Sequence, residues 1–128
     1  MSWYIDSSVL VASILDQPSA IPLSEILKDS PITSRLTKVE VLRKIRKVDS
    51  ALIARAEFLL SHLFFSEMTE SVLSRAENYP AEITAKSADA IHLATAETLS
   101  PLIEGLLTLD RQMATNAKKL GLKVLEVA

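Results

Sequence analysis

Short, continuously apolar runs alternate with longer amphipathic ones along this chain. SWYI at residues 2–5, SPITSR at 30–35, HLFFSEM at 62–68, IEGLLTLD at 103–110 and KVLEV at 123–127 read as strands. Such short and nearly all-apolar centres suit strands covered on both faces. Helical patterns fill the gaps at 7–15, 23–29, 36–48, 50–61, 70–79, 86–99 and 111–120. Pro18 and Pro22 punctuate the break DQPSAIP, Pro80 closes the helix before it, and Gly121 stands where a helix C-cap glycine belongs. At about 100° per residue, Val41, Leu42, Ile45 and Val48 cover one face of the helix over 36–48. Glu40, Arg43, Lys44 and Lys47 share the opposite arc. The alternation predicts an α/β fold, a central parallel sheet of about five strands with helices on both faces. No linker, repeat or low-complexity stretch divides the chain, so residues 1–128 are expected to form one domain.

Composition narrows the chemistry. The chain is 48% hydrophobic and 23% charged, which is globular rather than disordered. A net charge of −2 gives no global basic field, so any nucleic-acid binding must rest on a local patch. There is no cysteine, which excludes disulfides, thiolate metal sites and cysteine nucleophiles. The two histidines, His62 and His92, are too few for a histidine-rich zinc site. No run approaches the roughly 18 apolar residues of a membrane span. The first residues lack the basic start and long apolar stretch of a secretory signal. A cytoplasmic protein is the expectation.

The acids then draw attention by position. Ligands of open parallel sheets bind at the carboxyl ends of the strands. Asp6 ends the first strand and Asp110 ends LLTL. Each also precedes a helix, where aspartate is a favoured N-cap. Glu40 lies on the polar side of its helix, where pairing with Lys44 four residues on is the bland alternative. Asp89 sits in SADAIHLATAE, where Ser87 is placed to cap the helix and a first-turn acid gains from the dipole. Its small apolar neighbours imply close packing, and a carboxylate there needs a partner. His92, one turn on, is that partner, a support for another ligand, or a packed core histidine. Two carboxylates about 4 Å apart repel by roughly 4 kcal/mol at an effective dielectric of 20. If the fold gathers all four, a hard divalent cation relieves the repulsion, and oxygen ligands favour Mg²⁺ or Mn²⁺ over zinc.

YIDSSVLVA, TKVEVLRKI, SADAIHLATA and LLTLDRQMATNAKKLGLKVL, in this order and spacing, resemble a PIN domain, and more narrowly the VapC toxins of VapBC toxin–antitoxin pairs. The resemblance runs from near residue 2 to residue 125. It implies a sheet of order 3-2-1-4-5 and a metal-dependent endoribonuclease that cleaves tRNA or rRNA. It assigns Asp6, Glu40, Asp89 and Asp110 as catalytic and metal-binding acids, Glu40 directly or through water. The family's hydroxyls fall on Ser8 and Thr108. Ser87-Ala88 replaces the bulky residue that often precedes the third acid. The resemblance also implies a VapB-like antitoxin as partner and a homodimer. Arg43, Lys44, Lys47 and, less centrally, Arg111 are the candidates for RNA phosphate contact.

Two rival enzyme and signalling classes fit poorly. A phosphoacceptor receiver module needs an aspartate ending its third strand and a lysine ending its fifth. Here Ser66-Glu67 ends the third, and only Glu126, Val127 and Ala128 follow the core of the last. A haloacid-dehalogenase-like phosphatase needs Asp-x-Asp after its first strand, and Asp6-Ser7-Ser8 fails that. A PIN-like domain that binds RNA or a partner without cleaving, and a housekeeping PIN nuclease, both remain compatible with the sequence.

Overall fold

The computed structural model describes residues 2–18 and 21–126. Five strands, β1 (Ser2–Ile5), β2 (Ile32–Ser34), β3 (Phe64–Ser66), β4 (Ile103–Thr108) and β5 (Val124–Glu126), form one sheet. All pairings are parallel, in the order β3-β2-β1-β4-β5. The expected α/β fold and strand order are therefore both observed. Val127, expected in the last strand, lies outside the described residues.

Helices α1 (Ser7–Ile14), α2 (Leu23–Leu27), α3 (Arg35–Val48), α4 (Ile53–Leu60), α5 (Glu70–Glu77), α6 (Ser87–Thr98) and α7 (Arg111–Lys119) connect the strands. Short 3-10 turns precede α4 and β4. Neighbouring strand residues serve opposite faces because side chains alternate along a strand. Ile5 and Leu107 join the core of Val9, Leu10, Ile14, Val41, Ile45, Leu59 and Leu60, supplied by α1, α3 and α4. Tyr4 and Leu106 join the other core, with Leu93, Ala96, Met113 and Ala117 from α6 and α7. Among the described residues, no helix is long and apolar enough to cross a membrane.

Two glycines have clear backbone duties. Gly121 adopts φ +81, and its N–H and that of Leu122 return to the carbonyls of Lys118 and Ala117, closing α7. At Gly105 a Cβ would lie 2.3 Å from the Lys123 carbonyl oxygen, so a bare backbone lets β5 approach β4.

One expected core residue is not in the core. Val41 and Ile45 are buried, but Val48 is 52% exposed. The 14-residue α3 is about 21 Å long, whereas eight-residue α1 and α4 span about 12 Å. Val48 lies in the last turn of α3, where the packing that buries Val41 and Ile45 does not cover it.

Candidate active site

The parallel order delivers the four acids to one region. Asp6 follows the end of β1, and Asp110 lies two residues past the end of β4. These strands are hydrogen-bonded neighbours, with Ile5 opposite Leu107. Glu40 rides on α3, which leaves β2 on the other side of β1, and Asp89 lies in the first turn of α6. Their mutual influence shows in the Asp89 carboxyl, whose pKa is raised. Burial is the largest cause, followed by the negative charges of Asp6 and Asp110; Glu40 adds to the rise and His92 opposes it.

Asp6 is nearly buried, at 4% exposure. It occupies the N-cap position of α1 but makes no capping bond with its side chain, so the capping role fails here. Hydroxyls hold it instead. Thr108 Oγ1 donates to Asp6 Oδ2 at 2.7 Å, and Ser8 Oγ donates to the same oxygen at 2.9 Å. Each hydroxyl also accepts a backbone N–H, Thr108 from Asp110 and Ser8 from Leu109. The pair therefore ties the end of β1 to the turn after β4. Oδ1 receives only a long bond of 3.4 Å from Ser7 Oγ.

Asp110 does cap its helix: Oδ1 accepts the N–H groups of Gln112 and Met113 at 2.9 and 3.1 Å. Its Oδ2 has no hydrogen bond among the described residues, so capping leaves one oxygen for other work. Ser87 is not the cap of α6. It is the first helical residue, Lys86 stands at the N-cap, and no side chain caps this end.

Glu40 pairs with His92, not with Lys44. Glu40 Oε1 lies 2.5 Å from His92 Nε2, while His92 Nδ1 lies 2.6 Å from the Tyr4 hydroxyl. Tyr4 and His92 are wholly buried. Burial penalises the charged imidazole, but the hydrogen bond and charge of Glu40, with Asp6 and Asp89, raise the His92 pKa overall. Burial pushes the Tyr4 phenol well above its ordinary pKa, with the charge of Asp6 adding to it. Tyr4 is not among the site residues that the sequence singles out. A signal for it exists: a tyrosine between Trp3 and Ile5, in a strand expected to be buried, needs a partner for its hydroxyl.

Beside Glu40, the outer face of α3 forms a groove of about 670 Å³ lined by Val39, Glu40, Arg43, Lys44, Arg46 and Lys47. Arg43, Lys44 and Lys47 are accessible, as phosphate contacts must be, and Arg46 joins them unanticipated. Arg111 does not line this groove; it opens α7 beside Asp110.

The donor chemistry fits a hard divalent cation. Asp6, Glu40 and Asp110 each commit one carboxylate oxygen to the scaffold and leave the other with a weak bond or none. Asp89 has no hydrogen bond among the described residues, and its pKa is raised by burial first and then by the charges of Asp6, Asp110 and Glu40, against the opposing effect of His92. Among the described residues, however, no three acids or histidines are close enough to enclose a single ion. The acids stand within electrostatic reach, short of a closed coordination shell.

A five-stranded parallel sheet with acids at its carboxyl edge defines the class. The PIN domain model matches residues 3–119, and the chain belongs to the PIN-domain family. Two solved structures share the fold. PAE2754 from Pyrobaculum aerophilum aligns with a TM-score of 0.70 at 21% identity, over 99% of this chain and 90% of that one. A toxin–antitoxin complex from Klebsiella pneumoniae gives 0.69 at 23% identity, over 85% and 87%. Within the family the chain is of the VapC type. It is 34% identical to Ribonuclease VapC35 of Mycobacterium tuberculosis over 94% of this chain and 93% of that protein. Ribonuclease VapC46 of the same organism is 31% identical over 95% of each.

Proposed function

We propose that this chain is a metal-dependent endoribonuclease and the toxin of a type II toxin–antitoxin pair. What carries the proposal is that Asp6, Glu40 and Asp110, from three other elements, all act electrostatically on the Asp89 carboxyl, whose pKa is raised first by burial and then by their charges. The ribonuclease names of its VapC relatives support the same reading.

Asp6, Asp89 and Asp110 would hold Mg²⁺ or Mn²⁺, with Glu40 a further ligand directly or through water. A divalent cation bound there supplies charge stabilisation for the phosphate and acidifies water. The chain's own residues do the rest. Ser8 and Thr108 fix one oxygen of Asp6. The α7 N-terminus fixes one oxygen of Asp110. Arg43, Lys44 and Lys47 grip backbone phosphates beside Glu40, with Arg111 at the far side. His92 is wholly buried and cannot reach an RNA 2′-hydroxyl, so it is no general base for the substrate. Hydrolysis by water leaves a 5′-phosphate and a 3′-hydroxyl. The cellular substrate is a tRNA or rRNA, cleavage inhibits translation in the cytoplasm, a VapB-like antitoxin restrains the enzyme, and the protein works as a homodimer.

The test is cleavage of total RNA by purified protein with Mg²⁺, with EDTA, and with Asp89→Asn. Cleavage is expected only from the parent with Mg²⁺. Equal cleavage by Asp89→Asn would overturn the site, and RNA binding without cleavage under all conditions would favour a non-catalytic PIN domain. In cells, growth arrest is expected from the parent and not from Asp6→Ala. Arrest by both would mean toxicity without catalysis.

A further inference from the structure

We propose that His92 is the positioning residue for Glu40, and that Tyr4 holds His92 in the one ring orientation that lets it do so. The proposal rests on the nuclease reading above for its purpose, but not for its geometry. Three hydrogen bonds run in series through the protein interior. The Ser34 backbone N–H donates to the Tyr4 oxygen at 3.2 Å. The Tyr4 hydroxyl meets His92 Nδ1 at 2.6 Å, and His92 Nε2 meets Glu40 Oε1 at 2.5 Å.

The partners dictate where the protons go. An ionised carboxylate only accepts, so Nε2 carries the proton facing Glu40. In the neutral ring Nδ1 is then an acceptor, and the Tyr4 O–H donates to it. The Tyr4 oxygen meanwhile accepts the N–H of Ser34. Every donor meets an acceptor. The opposite tautomer would turn a nitrogen lone pair toward the Glu40 carboxylate and two N–H donors toward the Tyr4 oxygen. That arrangement sets two acceptors against each other beside a wholly buried ring, where mismatches are costly.

The placement of the series gives it a role. Tyr4 lies two residues before Asp6, and His92 lies three residues after Asp89 on the same helix. Ser34 begins the helix that carries Glu40, its hydroxyl accepting the N–H of Leu36. The series therefore joins β1, the end of β2, α3 and α6, the elements that carry or lead into three of the four acids. It also holds only one oxygen of Glu40. Oε2 has no hydrogen bond among the described residues, and the side chain is 28% exposed. Glu40 is thus anchored from behind and open in front. Partners that orient ligands in this way typically contribute about ten- to a hundredfold to metal affinity or activity.

Two readouts test this. The first is nitrogen NMR of the His92 ring in the metal-free protein, with the pH raised until the ring is neutral. The wild type is expected to show the Nε2–H tautomer alone, and Tyr4→Phe a mixture. An Nδ1–H or mixed wild-type ring would overturn the proposal. The second is steady-state RNA cleavage. Tyr4→Phe is expected to lower kcat about tenfold with KM changed by less than about twofold. His92→Gln, which keeps an N–H within reach of Glu40, is expected to exceed His92→Leu in kcat per folded molecule. Variants that melt earlier but keep the parental kcat per folded molecule would assign His92 to packing alone and overturn the positioning role. If the wild type cleaves no RNA, the nuclease reading fails, while the ring tautomer still decides whether the relay exists.

Discussion

Thr108 is where fold and site are joined most tightly, and Thr108→Val measures the joint. The side chain is 1% exposed and its hydroxyl has two bonds. It donates to the Asp6 carboxylate at 2.7 Å and accepts the Asp110 N–H at 3.0 Å. Valine keeps the shape and removes both. A hydrogen bond to a charged group contributes about 1.5–3 kcal/mol. Ser8 still donates to the same oxygen, so Asp6 is not orphaned, which keeps the loss from reaching the value for an unpaired buried charge. The Asp110 N–H loses its partner but belongs to an exposed residue that water can serve. The net expectation is a loss of about 2–3 kcal/mol, roughly 30- to 150-fold in the folding equilibrium. Urea denaturation in EDTA gives the number directly, and an unchanged slope would show that the unfolded state is unaffected. Thr108→Ser keeps the hydroxyl and should recover most of the hydrogen-bond contribution. A loss below about 0.5 kcal/mol for valine, or equal losses for valine and serine, would refute the view that this hydroxyl anchors Asp6.

Other expectations follow from the same geometry. Asp89→Asn should raise the stability of the metal-free protein at neutral pH, because it removes a carboxylate whose folded pKa is raised. The parent binds the Asp89 proton more tightly when folded, so its stability should fall as pH rises from the ordinary aspartate value to the raised one, and this slope should vanish in the Asp89→Asn variant; thermal melts in EDTA across the acid range check it. Lys44→Ala should weaken RNA binding and reduce the salt slope of log K by about 0.7, read from binding isotherms at several salt concentrations; an unchanged slope removes Lys44 from the RNA interface. Gly105→Ala should cost about 1–3 kcal/mol by urea denaturation, because its Cβ would meet the Lys123 carbonyl oxygen at 2.3 Å; a neutral effect would mean that β5 is not pinned to β4 there.

Periodicity carries most of the fold. The apolar runs mark every strand to within a few residues, and the strand–helix alternation implies a parallel sheet. Val48 escapes this logic because a helical stripe records direction around the axis, not how far along the axis it is covered. Asp6 and Asp110 are legible by their place after strands, but the fate of each oxygen is not. Asp6 and Asp110 look alike in sequence, each preceding a helix. Asp110 caps its helix, and Asp6 is held by hydroxyls, one of them 102 positions away. Helical spacing leaves Glu40 open to pairing with Lys44. Its actual partner, His92, lies 52 positions on, a contact that only the sheet order brings about. Local spacing singles out candidate groups; tertiary neighbours decide which of their atoms remain available.

In the proposed function a divalent cation relieves the mutual repulsion among the four carboxylates. Calorimetric titration of Mn²⁺ into the metal-free protein tests it without reference to RNA. Binding is expected from the wild type, and binding at least about tenfold weaker from Asp89→Asn. Equal affinity in the two proteins, or no binding by the wild type, would contradict it.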